Sequence, residues 1–294
     1  MDAVVLNPLP FQIVLPQLFQ TFRVREGSAT AEEVGRLAAE AQAIGQPKAI
    51  YRLGFIDEKG ADYVVVDGVK FTSRILRVNL DGAQRVFAYV VTSGWELETW
   101  ARSQEDLSAL FWADRLNQAV LGSAFGAFQT QLKDLYQLSQ TSRMNPGSLA
   151  DWPLGQQRVL FGYLGQVQAA IGVELTESLL MTPTKSVSGI LFPSEETFAS
   201  CQLCPRPVCP NRRAPYDAVL LETKYKGHDT GGLAAETGAA RPEIAHLEDL
   251  RHPRSKHDPI ERTSHCLARE NGRQDPGACA RTPDRVQRQL RHSH

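Results

Sequence analysis

The chain contains 294 residues, of which 42% are hydrophobic and 22% are charged, and its formal net charge at pH 7 is −1. This composition is typical of a globular protein with one or two domains, and the near-neutral charge argues against a nucleic-acid partner. No apolar run approaches the roughly 20 residues of a membrane-spanning helix, and the apolar N-terminal stretch lacks the flanks of a signal peptide. We therefore expect a cytoplasmic protein that binds neither nucleic acid nor a membrane.

The composition changes abruptly after Tyr225. All 7 histidines lie beyond this point, and no Phe, Trp or Tyr follows it. Because the remaining apolar residues are scattered without a period, the segment cannot bury enough apolar area to offset its ordering entropy. We predict a folded domain at residues 1–225 and a low-complexity tail, mostly disordered, at residues 226–294. The folded domain then contains no histidine, which excludes a Ser-His or Cys-His nucleophile pair within it.

Three segments of the folded domain have the apolar spacing of a helix. Apolar residues recur at i, i+3 and i+4 in three segments, residues 31–44, 105–138 and 156–171. Thr30 is the expected N-cap of the first segment, and Gly172 is the expected stop of the third. Each segment therefore predicts an amphipathic helix.

Strand signals are interspersed among these helices. Residues 62–67 and 85–91 are rich in β-branched and aromatic side chains and end near glycines, which predicts two strands. Two apolar runs at residues 175–181 and 186–192, joined by a short polar segment, suggest a β-hairpin. Because helices and strands do not alternate regularly, the predicted fold class is α+β, with a twisted antiparallel sheet and flanking helices.

Three short motifs follow one another around the third predicted helix. They are Arg143-Met-Asn-Pro-Gly147, Leu175-Thr-Glu-Ser-Leu-Leu-Met181 and Ser186-Val-Ser-Gly189. With these motifs, over about residues 141–193, the sequence resembles the reactivation domain of cobalamin-dependent methionine synthase. The resemblance implies a C-shaped domain, here as a stand-alone protein, that binds S-adenosylmethionine in a shallow groove.

The function that the resemblance implies is the reactivation of a corrinoid enzyme. The domain would act as a methyltransferase component that holds S-adenosylmethionine over the cobalamin of methionine synthase or a related corrinoid protein. An electron donor such as flavodoxin or ferredoxin would supply the electron that reductive methylation of cob(II)alamin requires. Methyl transfer to cobalt depends on positioning rather than on a protein acid or base, so no catalytic residue is expected.

The resemblance also implies which residues bind the ligand. Arg143 is expected to contact the carboxylate of S-adenosylmethionine, a role that suits a planar bidentate donor. Gly147 is expected to let the backbone approach the ligand. The family commonly continues Gly-Tyr-x-Ala-Cys-Pro, whereas this chain continues Gly147-Ser-Leu-Ala-Asp-Trp-Pro153. The other motif residues expected to touch ligand or partner are Pro146, Ser148, Glu177 and Ser186.

A cysteine-rich segment at residues 198–213 lies outside the methionine synthase pattern. Cys201, Cys204 and Cys209 stand at x2 and x4 spacing, which places three thiolates within reach of one metal centre. An iron–sulfur cluster, zinc and three reduced thiols without metal are the alternatives. The arginines at 206, 212 and 213 would lower thiol pKa values and attract an acidic partner.

These cysteines define a second functional hypothesis. The chain would be an iron–sulfur or zinc-binding redox or docking protein for a corrinoid enzyme. It would then keep the activation-domain fold without the S-adenosylmethionine site.

Overall fold

The computed structural model describes residues 2–209 and 212–225, so the predicted tail at residues 226–294 lies outside the described residues. The strands are β1 (Val4–Leu6), β2 (Lys48–Lys59), β3 (Tyr63–Val66), β4 (Val69–Thr72), β5 (Arg85–Thr92), β6 (Thr141–Met144), β7 (Glu174–Leu175), β8 (Met181–Thr182) and β9 (Ser186–Pro193). The helices are α1 (Leu15–Phe22), α2 (Ala29–Ile44), α3 (Arg74–Asn79), α4 (Trp95–Arg102), α5 (Leu107–Tyr136), α6 (Gln156–Leu164), α7 (Val167–Ile171) and α8 (Ala218–Leu220). A 3-10 turn at Ser200–Leu203 precedes α8, and a π-helical turn at Leu221–Tyr225 follows it. Within the described ranges, no helix is both long and apolar enough to cross a membrane.

Seven strands form one sheet in the order β4-β3-β2-β5-β9-β6, with β1 also paired to β2. Every strand pair in the described part of the chain is antiparallel, including the separate pair β7 and β8. The mixed helices and antiparallel sheet confirm the predicted α+β class.

The sheet is buried on both faces by helices. Side chains of the central strand β5 alternate between two hydrophobic clusters, as the period of a strand requires. On one face Leu121, Phe125 and Phe128 of α5 cover the sheet. On the other face Leu160 and Tyr163 of α6 and residues of α7 cover it.

The long helices start and stop at recognisable caps. Asp106 accepts a hydrogen bond of 2.9 Å from the Ala109 N–H at the start of α5, as an N-cap carboxylate does. Ser28, rather than the expected Thr30, caps α2, because its hydroxyl accepts a hydrogen bond of 3.2 Å from the Ala31 N–H. The helices predicted at 31–44 and 105–138 are otherwise confirmed.

Two predictions of local structure were wrong. The helix predicted at 156–171 is broken between α6 and α7, since Gly165 adopts a positive φ of 87° that interrupts helical geometry. The predicted hairpin of residues 175–181 and 186–192 does not form. Instead β9 pairs with β5 and β6, while short β7 and β8 pair with each other. Because β9 is apolar on both faces, burial in the centre of the sheet is the stronger option.

Candidate functional site

Arg143 lies on the edge strand β6, on the face of the sheet that α5 covers. It pairs with Leu191 of β9, and its guanidinium carbon lies 4.0 Å from the centroid of the Phe125 ring. Burial lowers the pKa of this guanidinium, and the positive charge of Arg213 acts in the same direction. Among the described residues, Arg143 has no hydrogen-bonding or ion-pairing side-chain partner. The planar donor group is thus held by an aromatic ring and remains available to an anion.

The turn that follows Arg143 depends on its glycine. Gly147 has a φ of 80°, and its N–H donates a hydrogen bond of 2.7 Å to the Trp152 carbonyl. A β-carbon at this position would also lie 3.0 Å from a methyl carbon of Leu154. Ser148 donates a hydrogen bond of 2.7 Å to the Asn145 carbonyl, which closes the turn. Backbone of this shape, exposed at Gly147 and Ser148, lets a ligand approach closely.

Asn145 ties the turn to the centre of the sheet. Its Nδ2 donates hydrogen bonds of 2.6 Å to the Ser188 carbonyl and 3.0 Å to the Tyr89 hydroxyl. The amide passes over Gly189, where a β-carbon would lie 2.7 Å from Nδ2 and 2.9 Å from the phenol oxygen. Burial raises the pKa of Tyr89, so its hydroxyl stays protonated.

Phe125, Tyr89 and Asn145 also surround Arg143 and its turn, but they were not predicted from the sequence. Asn145 stands inside the Arg-x-x-x-Gly motif, so its position was a usable signal. Phe125 and Tyr89 carried no local signal, since each reaches Arg143 or Asn145 only through the packing of α5 and β5.

Two predicted ligand residues lie away from Arg143. Ser186 starts β9 opposite Thr92, five residues and so about 17 Å along the strand from Leu191. Its hydroxyl contacts Thr92 at 2.9 Å and the Pro183 carbonyl at 2.7 Å. Glu177 lies in the turn between β7 and β8, where its carbonyl accepts a hydrogen bond of 3.4 Å from Arg158. The structure therefore groups Arg143 with Pro146, Gly147 and Ser148 only.

The three cysteines follow the last strand, in a segment that we call the cysteine loop (described residues 200–209 and 212–214). The hydroxyl oxygens of Ser148 in the turn and Ser200 lie 3.3 Å apart, which places the start of this loop beside the turn. Cys201, Cys204 and Cys209 are free and partly buried. In the described ranges, no group of three or more His, Cys, Asp or Glu side chains is arranged to hold a metal ion.

The backbone carbonyls of the cysteine loop converge on one arginine side chain. The Arg212 guanidinium donates hydrogen bonds to the carbonyls of Cys201 at 3.1 Å, Cys204 at 3.3 Å and Ala214 at 3.4 Å, and also to that of Arg206. A guanidinium therefore holds the backbone carbonyls of this loop together. The iron–sulfur and zinc interpretations of Cys201, Cys204 and Cys209 are not supported.

Cys201 is held against Arg213. The Arg213 N–H donates to its sulfur over 3.4 Å. Burial would raise the pKa of Cys201, but hydrogen bonds from the N–H groups of Arg213 and Ala214 and the Arg213 side chain outweigh it and lower the pKa.

A separate cleft of about 1130 Å³ opens on the other face of β6. Polar side chains along it are already bonded to one another. Ser142 contacts the Ser194 hydroxyl at 2.8 Å, and Tyr225 donates a hydrogen bond of 2.7 Å to Asn79. None of the predicted site residues lines this cleft.

Comparisons with known proteins found one matching family model and similar solved structures. The family model "Vitamin B12 dependent methionine synthase, activation domain" matches residues 86–200. The chain is also similar to a solved structure described as the crystal structure of the MetH reactivation domain bound to AdoHcy. The identity is 18%, the TM-score is 0.49, and the alignment covers 68% of this chain and 82% of that chain. No curated protein matches the sequence.

The matched range contains the whole of the Arg143 turn and both later motifs, and it ends just before Cys201. It therefore includes the strand that carries Arg143, the helix that carries Phe125 and the strand that carries Tyr89. The resemblance indicated by the three motifs is confirmed: over residues 86–200, this chain resembles the activation domain of vitamin B12 dependent methionine synthase.

Proposed function

We propose that this protein binds S-adenosylmethionine at the Arg143 turn and offers its methyl group to a cobalamin carried by a partner protein. The proposal rests on the burial of the Arg143 guanidinium and on its lack of an acidic partner, within the range that the family model matches. Its guanidinium is half-buried on the Phe125 ring and has no acidic partner among the described residues. A desolvated guanidinium of this kind binds a ligand carboxylate strongly.

The turn supports the same ligand. Gly147 and Ser148 are exposed beside Arg143, and the positive φ of Gly147 turns the backbone without a side chain in the way. The α-carboxylate of S-adenosylmethionine would lie against Arg143. The exposed Gly147 and Ser148 would line the approach, whereas the buried Pro146 would shape the turn behind them.

The partner is expected to be a methionine synthase or a related corrinoid protein. Its cobalamin would be the methyl acceptor, and a donor of the flavodoxin or ferredoxin class would supply the one electron that reduces cob(II)alamin to cob(I)alamin before the methyl group is transferred and S-adenosylhomocysteine is released. The work of this chain is positioning, because transfer of a sulfonium methyl group needs no protein base. This agrees with a described domain that contains no histidine.

Equilibrium binding tests the proposal. We expect the full-length protein to bind S-adenosylhomocysteine in titration calorimetry, and Arg143→Gln to weaken binding by about 1.5–3 kcal/mol, the value of a hydrogen bond to a charged group. Arg158→Gln is the matched control, since it removes the same charge from α6 on the opposite face of the sheet. Absence of binding to the unaltered protein would overturn the proposal. Equal losses in the two variants would remove Arg143 from the site.

A second measurement tests the reaction itself. Purified cobalamin-dependent methionine synthase in the cob(II)alamin state would be mixed with this protein, S-adenosylmethionine and a chemical reductant. We expect faster formation of methylcobalamin, read from its visible spectrum, with the unaltered protein than with Arg143→Gln. Equal rates with and without this protein would count against a role in reactivation.

A further inference from the structure

Cys201 and Cys204 close one tight turn of the cysteine loop. The 3-10 turn Ser200–Leu203 contains Cys201, and Cys204 directly follows it. The Cys204 N–H donates a hydrogen bond of 3.3 Å to the Cys201 carbonyl. The α-carbons of two residues that close such a turn lie within about 7 Å of each other, and a disulfide spans about 4.4–6.8 Å between α-carbons. The two cysteines are therefore within the reach of a disulfide.

The backbone of this turn is held on two sides. The Arg212 guanidinium donates hydrogen bonds to the carbonyls of both cysteines, at 3.1 Å to Cys201 and 3.3 Å to Cys204. Ser200 is buried at the start of the turn, and its hydroxyl oxygen lies 3.3 Å from that of Ser148. Side chains three residues apart in a 3-10 turn lie on the same side of it. Closing a disulfide here therefore requires rotation of two cysteine side chains rather than rearrangement of the chain.

The Cys201 sulfur lies among hydrogen-bond donors. The Arg213 N–H is 3.4 Å from it, and the Ala214 N–H and the Arg213 side chain also donate to it. Together these donors lower the pKa of the Cys201 thiol. The thiolate is the nucleophile in thiol chemistry, and Cys201 is only partly buried. Cys201 is thus suited to attack a disulfide that arrives from solvent.

Cys204 has different neighbours. It packs against the hydrophobic cluster on the α6 face of the sheet and is also partly buried. A thiol in this position is shielded from a reagent in solvent but needs only to reach a sulfur on the same turn. Cys204 is thus suited to the second, intramolecular step.

We propose that Cys201 and Cys204 form a thiol–disulfide exchange site whose co-reactants are small-molecule disulfides and thiols, of which glutathione disulfide is one. The Cys201 thiolate attacks one sulfur of glutathione disulfide, which breaks the S–S bond, leaves a mixed disulfide on Cys201 and releases one glutathione thiolate. The Cys204 thiolate then attacks the Cys201 sulfur and releases the second glutathione.

The overall exchange is balanced. The two cysteines lose two electrons and two protons, and the same electrons and protons convert glutathione disulfide into two thiols. An excess of reduced glutathione drives both steps backwards. This inference is independent of the proposed function, because no S-adenosyl ligand takes part in it.

Differential alkylation of the full-length protein tests the inference. The reduced protein is incubated with excess glutathione disulfide at pH 7, and the remaining free thiols are blocked with iodoacetamide. Disulfides are then reduced, and the thiols that appear are alkylated with isotopically heavy iodoacetamide, so that fragment masses report the state of each cysteine. The variants are Cys201→Ser, Cys204→Ser and, as the matched control, Cys209→Ser, which removes another partly buried cysteine of the same loop.

We expect the unaltered protein to carry the heavy label at Cys201 and Cys204, the light label at Cys209, and no glutathione on any of the three. Before the reduction step, Cys204→Ser should retain one glutathione on Cys201, because the second step has lost its thiol. Cys201→Ser should keep the light label at Cys204, since the attacking thiol is missing. Cys209→Ser should behave like the unaltered protein, and reduced glutathione should restore the light label at both cysteines.

Light label at Cys201 and Cys204 of the unaltered protein would overturn the inference, and so would a disulfide that joins Cys201 to Cys209. Loss of the disulfide in Cys209→Ser would overturn it as well, because the pair would then not be sufficient. The labelling of the unaltered protein decides the question even where a variant fails to fold.

Discussion

Asn145 donates a hydrogen bond of 3.0 Å to the hydroxyl of Tyr89, over a glycine on the strand between them. Tyr89 and Gly189 face one another in the pairing of β5 with β9, and Asn145 directly follows β6 on the other side of β9. The missing side chain at Gly189 makes room for the amide. The turn beside Arg143 is thus fastened to a buried strand.

Because the Asn145 amide fills the space above Gly189, we expect Gly189→Ala to destabilise the protein. The new β-carbon would overlap the Met144 carbonyl and lie 2.7 Å from the Asn145 amide nitrogen. We expect a loss of about 1–3 kcal/mol in the free energy of unfolding, measured in urea, as for other overpacked sites. Ligand affinity should also fall, since the turn must move.

Gly126→Ala is the matched control for that substitution. Gly126 lies in α5, and a β-carbon there would have no neighbour within 4 Å. We expect this variant to be more stable by about 0.5–1 kcal/mol, because alanine favours a helix interior over glycine. Similar losses in both variants would contradict the role assigned to Gly189.

Because Arg212 already holds the carbonyls of the cysteine loop, we expect the purified protein to contain little metal. After anaerobic purification, iron and zinc should each be far below one per chain, and the three thiols should react with iodoacetamide without a chelator. Arg212→Ala should loosen the cysteine loop and increase its cleavage by protease, since four carbonyls lose their donor. Stoichiometric metal that disappears in Cys204→Ser would restore the metal interpretation.

The buried phenol of Tyr225 should make the protein less stable at alkaline pH. Burial raises the pKa of Tyr225 to about 12, and the charge of Glu196 acts in the same direction. The unfolded chain ionises this phenol near its usual pKa of about 10, so the free energy of unfolding falls as the pH rises from about 10 towards 12. Tyr225→Phe should reduce that fall in urea titrations across this range. The control is Tyr216→Phe at an exposed ring, and an equal change in both variants would contradict the prediction.

The contacts of Tyr225 also indicate where the folded domain ends. Arg74 donates a hydrogen bond of 2.7 Å to the Tyr225 carbonyl, and the Tyr225 ring packs on Phe198 at 5.9 Å. A chain that ends at Tyr225 should keep the thermal transition of the full-length protein. A chain that ends at Asp217 loses a buried aromatic side chain and should melt more than about 5 °C lower. A lowered transition in the longer truncation would place the border of the domain beyond Tyr225.

Local sequence pattern was sufficient for the elements whose shape depends on their own residues. The helical period along residues 105–138 predicted α5, and the β-branched and aromatic run at 85–91 predicted β5. The turn between Arg143 and Gly147 was indicated by the family resemblance instead. For α5 and β5, dihedral preference and the side that faces the core are set within a few residues of chain.

The tertiary structure alone decided which distant segments meet. Strand β9 has apolar residues on both faces and pairs with β5 and β6. Nothing in its sequence distinguishes these partners from the neighbouring apolar run at residues 175–181. The stacking of Arg143 on Phe125 likewise needs α5 to cross the sheet at one particular place. The three thiols show the same limit, because their spacing suits a metal, whereas the fold shows that the Cys201 and Cys204 carbonyls accept hydrogen bonds from Arg212. Spacing along a chain bounds what residues can reach, whereas burial and hydrogen bonding across the fold determine what they contact.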